Sequence, residues 1–169
     1  MKILKKSLIF FLLILFVFPV CSAEVPLNTT SQVFFSPKGG CTTAIVNALN
    51  AARQEILVQA YSFTSQPIAQ ALVSAYKRNI RTCLRQNLVV FGFSRDNGTI
   101  KVEIILDKSQ LSGKGSLLNL VAQAGIPTYI DSAHAIAHNK IMIVDRKTVI
   151  TGSFNFTESA ELRNAENLR

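Results

Sequence analysis

From residue 32 onward, apolar and polar positions fall into short alternating stretches separated by stretches with a period of three to four. Residues 32–36, 55–61, 100–106, 126–130, 140–145 and 148–151 read as strands. Between them, residues 42–53 place Ile45, Val46 and Leu49 on one helical face. Residues 66–78 and 115–124 carry the same helical period, with Pro67 in a first turn, where its missing N–H does little harm. The turn-rich Pro37-Lys38-Gly39-Gly40 ends the first strand, and Gly125 stops the third helix. Strands alternating with helices predict a layered α/β domain. Residues 81–98 fit neither period: 88–93 are apolar enough for an extra strand and Asp96-Asn97-Gly98 signals a turn, so this stretch reads as an insertion.

The first 23 residues follow a different rule. Lys2, Lys5 and Lys6 precede an uncharged, mostly apolar run of 14 residues from Ser7 to Val20, and Cys21-Ser22-Ala23 then offers small residues at a cleavage position. This is the tripartite pattern of a secretory signal peptide, and the run falls short of the roughly 20 residues that span a bilayer. Residues 1–23 are therefore expected to be a cleaved leader and 24–169 the domain, exported to a bacterial periplasm or secreted. A membrane association is expected only if the leader stays. The same segment inflates the mean hydropathy of +0.29.

Charge modifies this picture modestly. The whole chain carries +8, and loss of the three leader lysines leaves +5, a basic excess suited to a polyanion but not diagnostic of one. With charged residues at 17% and apolar ones at 49%, disorder is excluded. Two histidines and three cysteines leave no room for multi-ligand zinc clusters or a disulfide scaffold. After the leader only Cys41 and Cys83 remain, and their spacing fits a disulfide or two free thiols equally.

Chemistry concentrates in His138-Asn139-Lys140, then Asp145, then Gly152-Ser153-Phe154-Asn155. On a strand His138 and Lys140 share a face. An imidazole beside an ammonium, followed by a Ser-Asn turn, supplies a nucleophile or base and several donors for phosphate oxygens. No acidic cluster accompanies them for a divalent metal, so the set favours metal-independent attack on a phosphate ester. His134 lies four residues before His138, a helical metal spacing, but no glutamate stands between them, and His134 is expected to be a structural partner. Phe154 and Phe156 are expected in the core. Asn155-Phe156-Thr157 is also a glycosylation sequon, and a glycan there would block the site, in keeping with a bacterial secretory route.

H-x-K-x4-D followed by G-S-x-N resembles the signature of the phospholipase D superfamily, closest to its small single-motif bacterial endonucleases. The resemblance extends through YSFTS (61–65), ILDKSQ (105–110), AGIP (124–127), HAIAHNK (134–140) and RNAEN (163–167). It implies a mixed, largely parallel β-sheet flanked by helices. It also implies His138 as a nucleophile forming a phosphohistidine, and Lys140, Ser153 and Asn155 as the binders of phosphate oxygens. Asp145 would fix the geometry of the site and Glu166 would orient the histidine, with no metal or other cofactor. In this family two motifs make one site. One H-x-K per chain then requires two chains, so a homodimer paired about a two-fold axis is expected. The family segment after the glutamate continues into a further strand and helix. Stopping at Arg169, the chain is expected to lack them and to be a truncated product.

Nucleic acid, DNA and by extension RNA, is the expected substrate, with little sequence preference. The alternatives are a phospholipase or cardiolipin hydrolase at a membrane, and an inactive remnant that binds polyanions.

Overall fold

A computed structural model describes residues 30–85 and 100–169, the side chains of residues 79–85 excepted. The expected leader and residues 86–98 of the expected insertion lie outside the described residues.

Strands β2 (Glu55–Ala60), β3 (Lys101–Asp107), β4 (Thr128–Asp131), β5 (Lys140–Val144) and β6 (Thr148–Thr151) form one sheet in the order β4-β3-β2-β5-β6. β2, β3 and β4 run parallel, joined through the helices α2 (Gln66–Arg85) and α3 (Leu118–Gln123), as a crossover connection demands. β5 runs antiparallel to both β2 and β6, so the sheet is mixed. β5 and β6 are joined by residues 145–147, a turn closed by Lys147 N donating to Val144 O at 3.1 Å, whose central residues, Asp145 and Arg146, sit at φ 55° and 57°, the left-handed pair that suits a tight hairpin. A separate two-stranded ribbon pairs β1 (Phe34–Ser36) with β7 (Glu166–Leu168).

Alternation decides which face is buried. Ile56, Val58 and Ala60 of β2, Val102, Ile104 and Leu106 of β3, Met142 and Val144 of β5, and Ile150 of β6 share one core with the helices. Helix α1 (Cys41–Ala51) adds Ile45 and Leu49, α2 adds Ile68, Leu72 and Ala75, and α3 adds Val121. Phe63, Phe154 and Phe156 are fully buried. Arg78 closes the end of α1 by donating to the carbonyls of Leu49 and Asn50 at 3.0 Å each, where unpaired carbonyls favour a cation.

Helix α2 runs seven residues beyond the expected Arg78, so residues 81–85 are helical and not part of an insertion. Neither glycine nor proline occurs there to stop it. α3 begins at Leu118 instead of residue 115, because Gly115 lies at φ 77° within a turn. Two elements had no sequence expectation: β7, and the five-residue helix α4 (Glu158–Leu162), capped by Thr157 Oγ1, which accepts from Ala160 N at 3.1 Å.

The Glu161 carboxylate seals the start of α1, accepting from Gly40 N at 3.1 Å and Thr42 N at 2.7 Å, two of the donors a helix leaves unpaired. Cys41 beside it is a buried free thiol, its pKa pushed up by burial and then by the Glu161 charge. The side chain of Cys83 is outside the described residues.

Candidate functional site

β5 begins where β2 ends, with Lys140 opposite Ala60, and Tyr61 N extends the ladder by donating to Asn139 O at 3.0 Å. This brings Tyr61, His138 and Lys140 together at one end of the sheet. The β5 alternation puts Lys140 on the same face as Met142 and Val144, so its side chain caps an apolar row and is only 6% exposed. His138, two positions before the strand, is exposed. Lys140 Nζ donates to the His138 carbonyl at 2.8 Å and lies 3.0 Å from Nδ1 and 3.3 Å from Nε2 of its ring. An ammonium only donates, and which ring nitrogen faces it as acceptor depends on the imidazole tautomer. Burial pulls the Lys140 pKa below the ordinary lysine value, and the Glu166 charge pulls the other way. The ammonium also lies 5.2 Å from the centroid of the Tyr61 ring, a cation–π contact worth about 0.5–2 kcal/mol.

The loop that delivers His138 is tied down by carboxylates the motif does not contain. Asp107, at the end of β3 and 3% exposed, accepts from Ala137 N at 2.7 Å and Ser109 N at 2.9 Å. Bonding from Ser109 and then from Ala137 holds its pKa below the usual carboxylate range. His134 is a partner of Asp131, with Nδ1 2.9 Å from Oδ2, while Lys108 Nζ donates to the His134 carbonyl at 3.0 Å. Among the described residues, no group of three or more His, Cys, Asp or Glu side chains converges on a point that could hold a metal.

The G-S-x-N turn faces β7. Gly152 lies at φ 147°, and a Cβ there would collide with the Asn167 carbonyl oxygen, so only glycine fits. Ser153 Oγ accepts from Asn167 N at 3.0 Å, and Phe154 N donates to Asn167 O at 3.1 Å. Asn155 Oδ1 is buried and, among the described residues, has no hydrogen-bond partner. An orphaned acceptor of this kind costs about 1–3 kcal/mol and is the mark of a place where a ligand or water completes the bonding. Glu166 N donates to Ser36 Oγ at 3.2 Å, and Glu166 Oε1 accepts from Asn164 Nδ2 at 3.3 Å. Its charge acts on Lys140; the ring nitrogens of His138 meet Lys140 Nζ and not the Glu166 carboxylate.

Asp145 is not in this cluster. It sits at the other end of β5, about 17 Å along the strand at roughly 3.4 Å per residue. There its carboxylate accepts from Arg53 N at 2.9 Å, Gln54 N at 2.7 Å and Glu55 N at 3.1 Å. Its own N–H donates to Glu55 O at 2.8 Å. The residue therefore locks the entry of β2 against the β5–β6 hairpin, and its influence on the site runs through strand register. Burial raises its pKa, but the three backbone donors outweigh burial and leave it below the ordinary value. Arg146 beside it is bound to the buried Glu55 at 2.7 Å.

Asp145→Ala is expected to lower stability by about 2–4 kcal/mol, since three backbone donors lose their acceptor and alanine tolerates the left-handed turn poorly. That corresponds to a fall in Tm of about 5–15 °C, and a fall under about 2 °C would contradict the assignment. A carboxylate with a lowered folded pKa contributes stability that is present above its unfolded value and lost as pH falls through the folded one. The gap between wild type and Asp145→Ala should therefore narrow on acidification below the ordinary carboxylate range.

Fold and site together define a mixed α/β domain with an H-x-K pair at the end of a five-stranded sheet. Comparison with known proteins places it further. The family model described as "Cardiolipin synthase, PLD-like domain" matches residues 93–169. A phospholipase D of Rickettsia felis is 41% identical over 142 residues, covering 84% of this chain and 61% of that protein. The crystal structure of Nuc, a phospholipase D family member from Salmonella typhimurium, matches with a TM-score of 0.66 at 37% identity, covering 81% of this chain and 78% of Nuc. NucT from Helicobacter pylori shares the fold, with a TM-score of 0.58 at 24% identity over 81% of each chain. The chain belongs to the phospholipase D family. It spans about three fifths of the length of the Rickettsia felis relative.

Proposed function

We propose that this protein is a metal-independent phosphodiesterase, an endonuclease acting on DNA and also on RNA with little sequence preference. The observation that carries the reading is the exposed His138 ring within 3.0 Å of the buried Lys140 ammonium. An imidazole nitrogen holding its lone pair attacks phosphorus, and the P–O bond to the leaving strand breaks. The bonding pair departs with that oxygen, which takes a proton from a general acid. Water then attacks the phosphohistidine and gives its proton to the general acid, now unprotonated; the P–N bond breaks, its electron pair returns to the imidazole, and the product phosphate leaves with His138 restored.

Lys140 and Asn155 hold the non-bridging oxygens in this reading as negative charge builds on them, with Ser153 assisting. Glu166 favours the charged form of Lys140. The general acid is His138 of a second copy, because His134 is committed to Asp131; the working unit is thus a homodimer with no cofactor. The leader sends it to the periplasm or the medium, where the basic charge draws in phosphate backbones and makes binding salt-sensitive.

A second reading, hydrolysis of an anionic phospholipid at a membrane, is favoured by the name phospholipase D carried by the Rickettsia felis relative and by the cardiolipin synthase description of the matching family model. Plasmid DNA and cardiolipin vesicles, each offered in excess chelator, separate the two. Nicking of the plasmid with intact vesicles is the expected outcome. Lipid turnover without nicking selects the second reading, and a folded protein that binds DNA but cuts neither substrate is the polyanion-binding remnant.

A further inference from the structure

We propose that Tyr61 is a positioning residue for the His138–Lys140 pair, a role that rests on reading His138 as the nucleophile. Its ring lies 4.4 Å from the imidazole, centroid to centroid, inclined at 52°, and 5.2 Å from Lys140 Nζ. Among the described residues it is the one aromatic side chain that meets both groups.

A histidine that attacks phosphorus needs its ring held within about 10–20° of the productive direction. His138 enters β5 from an exposed loop, and its ring nitrogens meet Lys140 Nζ and, among the described residues, no carboxylate or carbonyl. A contact with a flexible ammonium sets a distance and not the tilt of the ring. Packing against a second ring removes that freedom, because a tilted pair in contact allows little rotation. The same aromatic face serves Lys140. Its N–H groups reach the His138 carbonyl and ring, and the electron-rich face of Tyr61 takes the place of water beside the remaining positive charge. Tyr61 is itself fixed by the main chain, since its N–H donates to Asn139 O at 3.0 Å, between the two residues it steadies. The bond holds the backbone that carries the ring against the segment between His138 and Lys140.

The test compares Tyr61→Phe and Tyr61→Leu in the full chain, using bis(p-nitrophenyl) phosphate in excess chelator for kcat and KM. Nitrogen-15 spectra of the imidazole, assigned with His138→Ala, report its tautomer and whether the ring exchanges. Phenylalanine keeps the aromatic face, so its kcat should stay within about threefold of wild type. Leucine should lower kcat about 10–100-fold with KM changed by less than about threefold, since a misplaced nucleophile costs turnover and not binding. The His138 signals should be sharp in wild type and Tyr61→Phe and broadened or mixed in Tyr61→Leu. Should the leucine variant prove insoluble, Tyr61→Met makes the same comparison. Equal kcat and an unchanged imidazole spectrum in the leucine or methionine variant overturns the proposal, and so does a phenylalanine variant as impaired as leucine. The spectrum does not depend on turnover. A wild type that hydrolyses no phosphodiester thus refutes the functional reading and leaves the spectrum to decide the role of Tyr61.

Discussion

His138→Ala is expected to reduce chelator-resistant plasmid cleavage by at least about 10⁴-fold, the loss typical of removing a covalent nucleophile. Its Tm should stay within about 2 °C of wild type, as for a surface substitution away from the core. The separation of the two effects follows from what holds the loop. Asp107 binds the Ala137 N–H, Lys108 binds the His134 carbonyl, and Asp131 binds the His134 ring; none of these uses the His138 imidazole. Lys140 loses a ring nitrogen but keeps the His138 carbonyl at 2.8 Å. Residual cleavage within about tenfold of wild type would remove His138 from the nucleophile's role. Co-expression of wild type and His138→Ala adds a second readout. If each site needs a histidine from both copies, mixed dimers are dead, and equal mixing leaves about a quarter of the activity instead of about half. A linear dependence on the wild-type fraction would reject the shared site.

Lys140→Met should move activity and stability in opposite directions. Activity is expected to fall about 10³-fold, because a fixed charge aimed at the developing phosphate anion is lost. Stability is expected to rise by about 1–2 kcal/mol, or a few degrees in Tm, because an ammonium capping the Met142–Val144 row is replaced by an apolar side chain of similar length. The sign of the pH dependence follows from burial, which lowers the folded pKa of Lys140 against only partial opposition from Glu166. The folded chain then releases this proton at lower pH than the unfolded chain does. Wild-type stability gains a contribution as pH rises from the lowered value toward the ordinary lysine value, and Lys140→Met should flatten that climb. Activity should decline over the same interval as the cation is neutralised. Thermal melts and rate profiles taken side by side between neutral and alkaline pH check both halves. A variant less stable than wild type would show that the ammonium supports the fold.

Much of this architecture was legible along the chain because its information is local. The alternation in residues 55–61 and 140–145 and the helical period in 42–53 each depend on neighbours within a few positions. The burial of Lys140 was not legible, because parity alone does not say which face of the strand the core covers. Nor was the remoteness of Asp145, which the motif joins to the site and the structure puts at the start of β2. Likewise α4 and β7 span five and three residues, too few for any period to register, and they are stabilised by partners more than a hundred positions away. Ser36 binds Asn164 and Glu166, and Glu161 closes the start of α1.

The sequence by itself determined the layered α/β order of elements, the core placement of Phe154 and Phe156 and the H-x-K and G-S-x-N motifs, because periodicity and motif spacing are properties of adjacent residues. Only the tertiary structure decided that Tyr61 packs on the His138 ring, that Asp107 binds the segment before it, that the Glu166 charge acts on Lys140, and that Asp145 stands at the far end of the strand. Those contacts join residues from strands that meet only after the chain has folded, and no local pattern encodes which distant side chain will stand across a sheet.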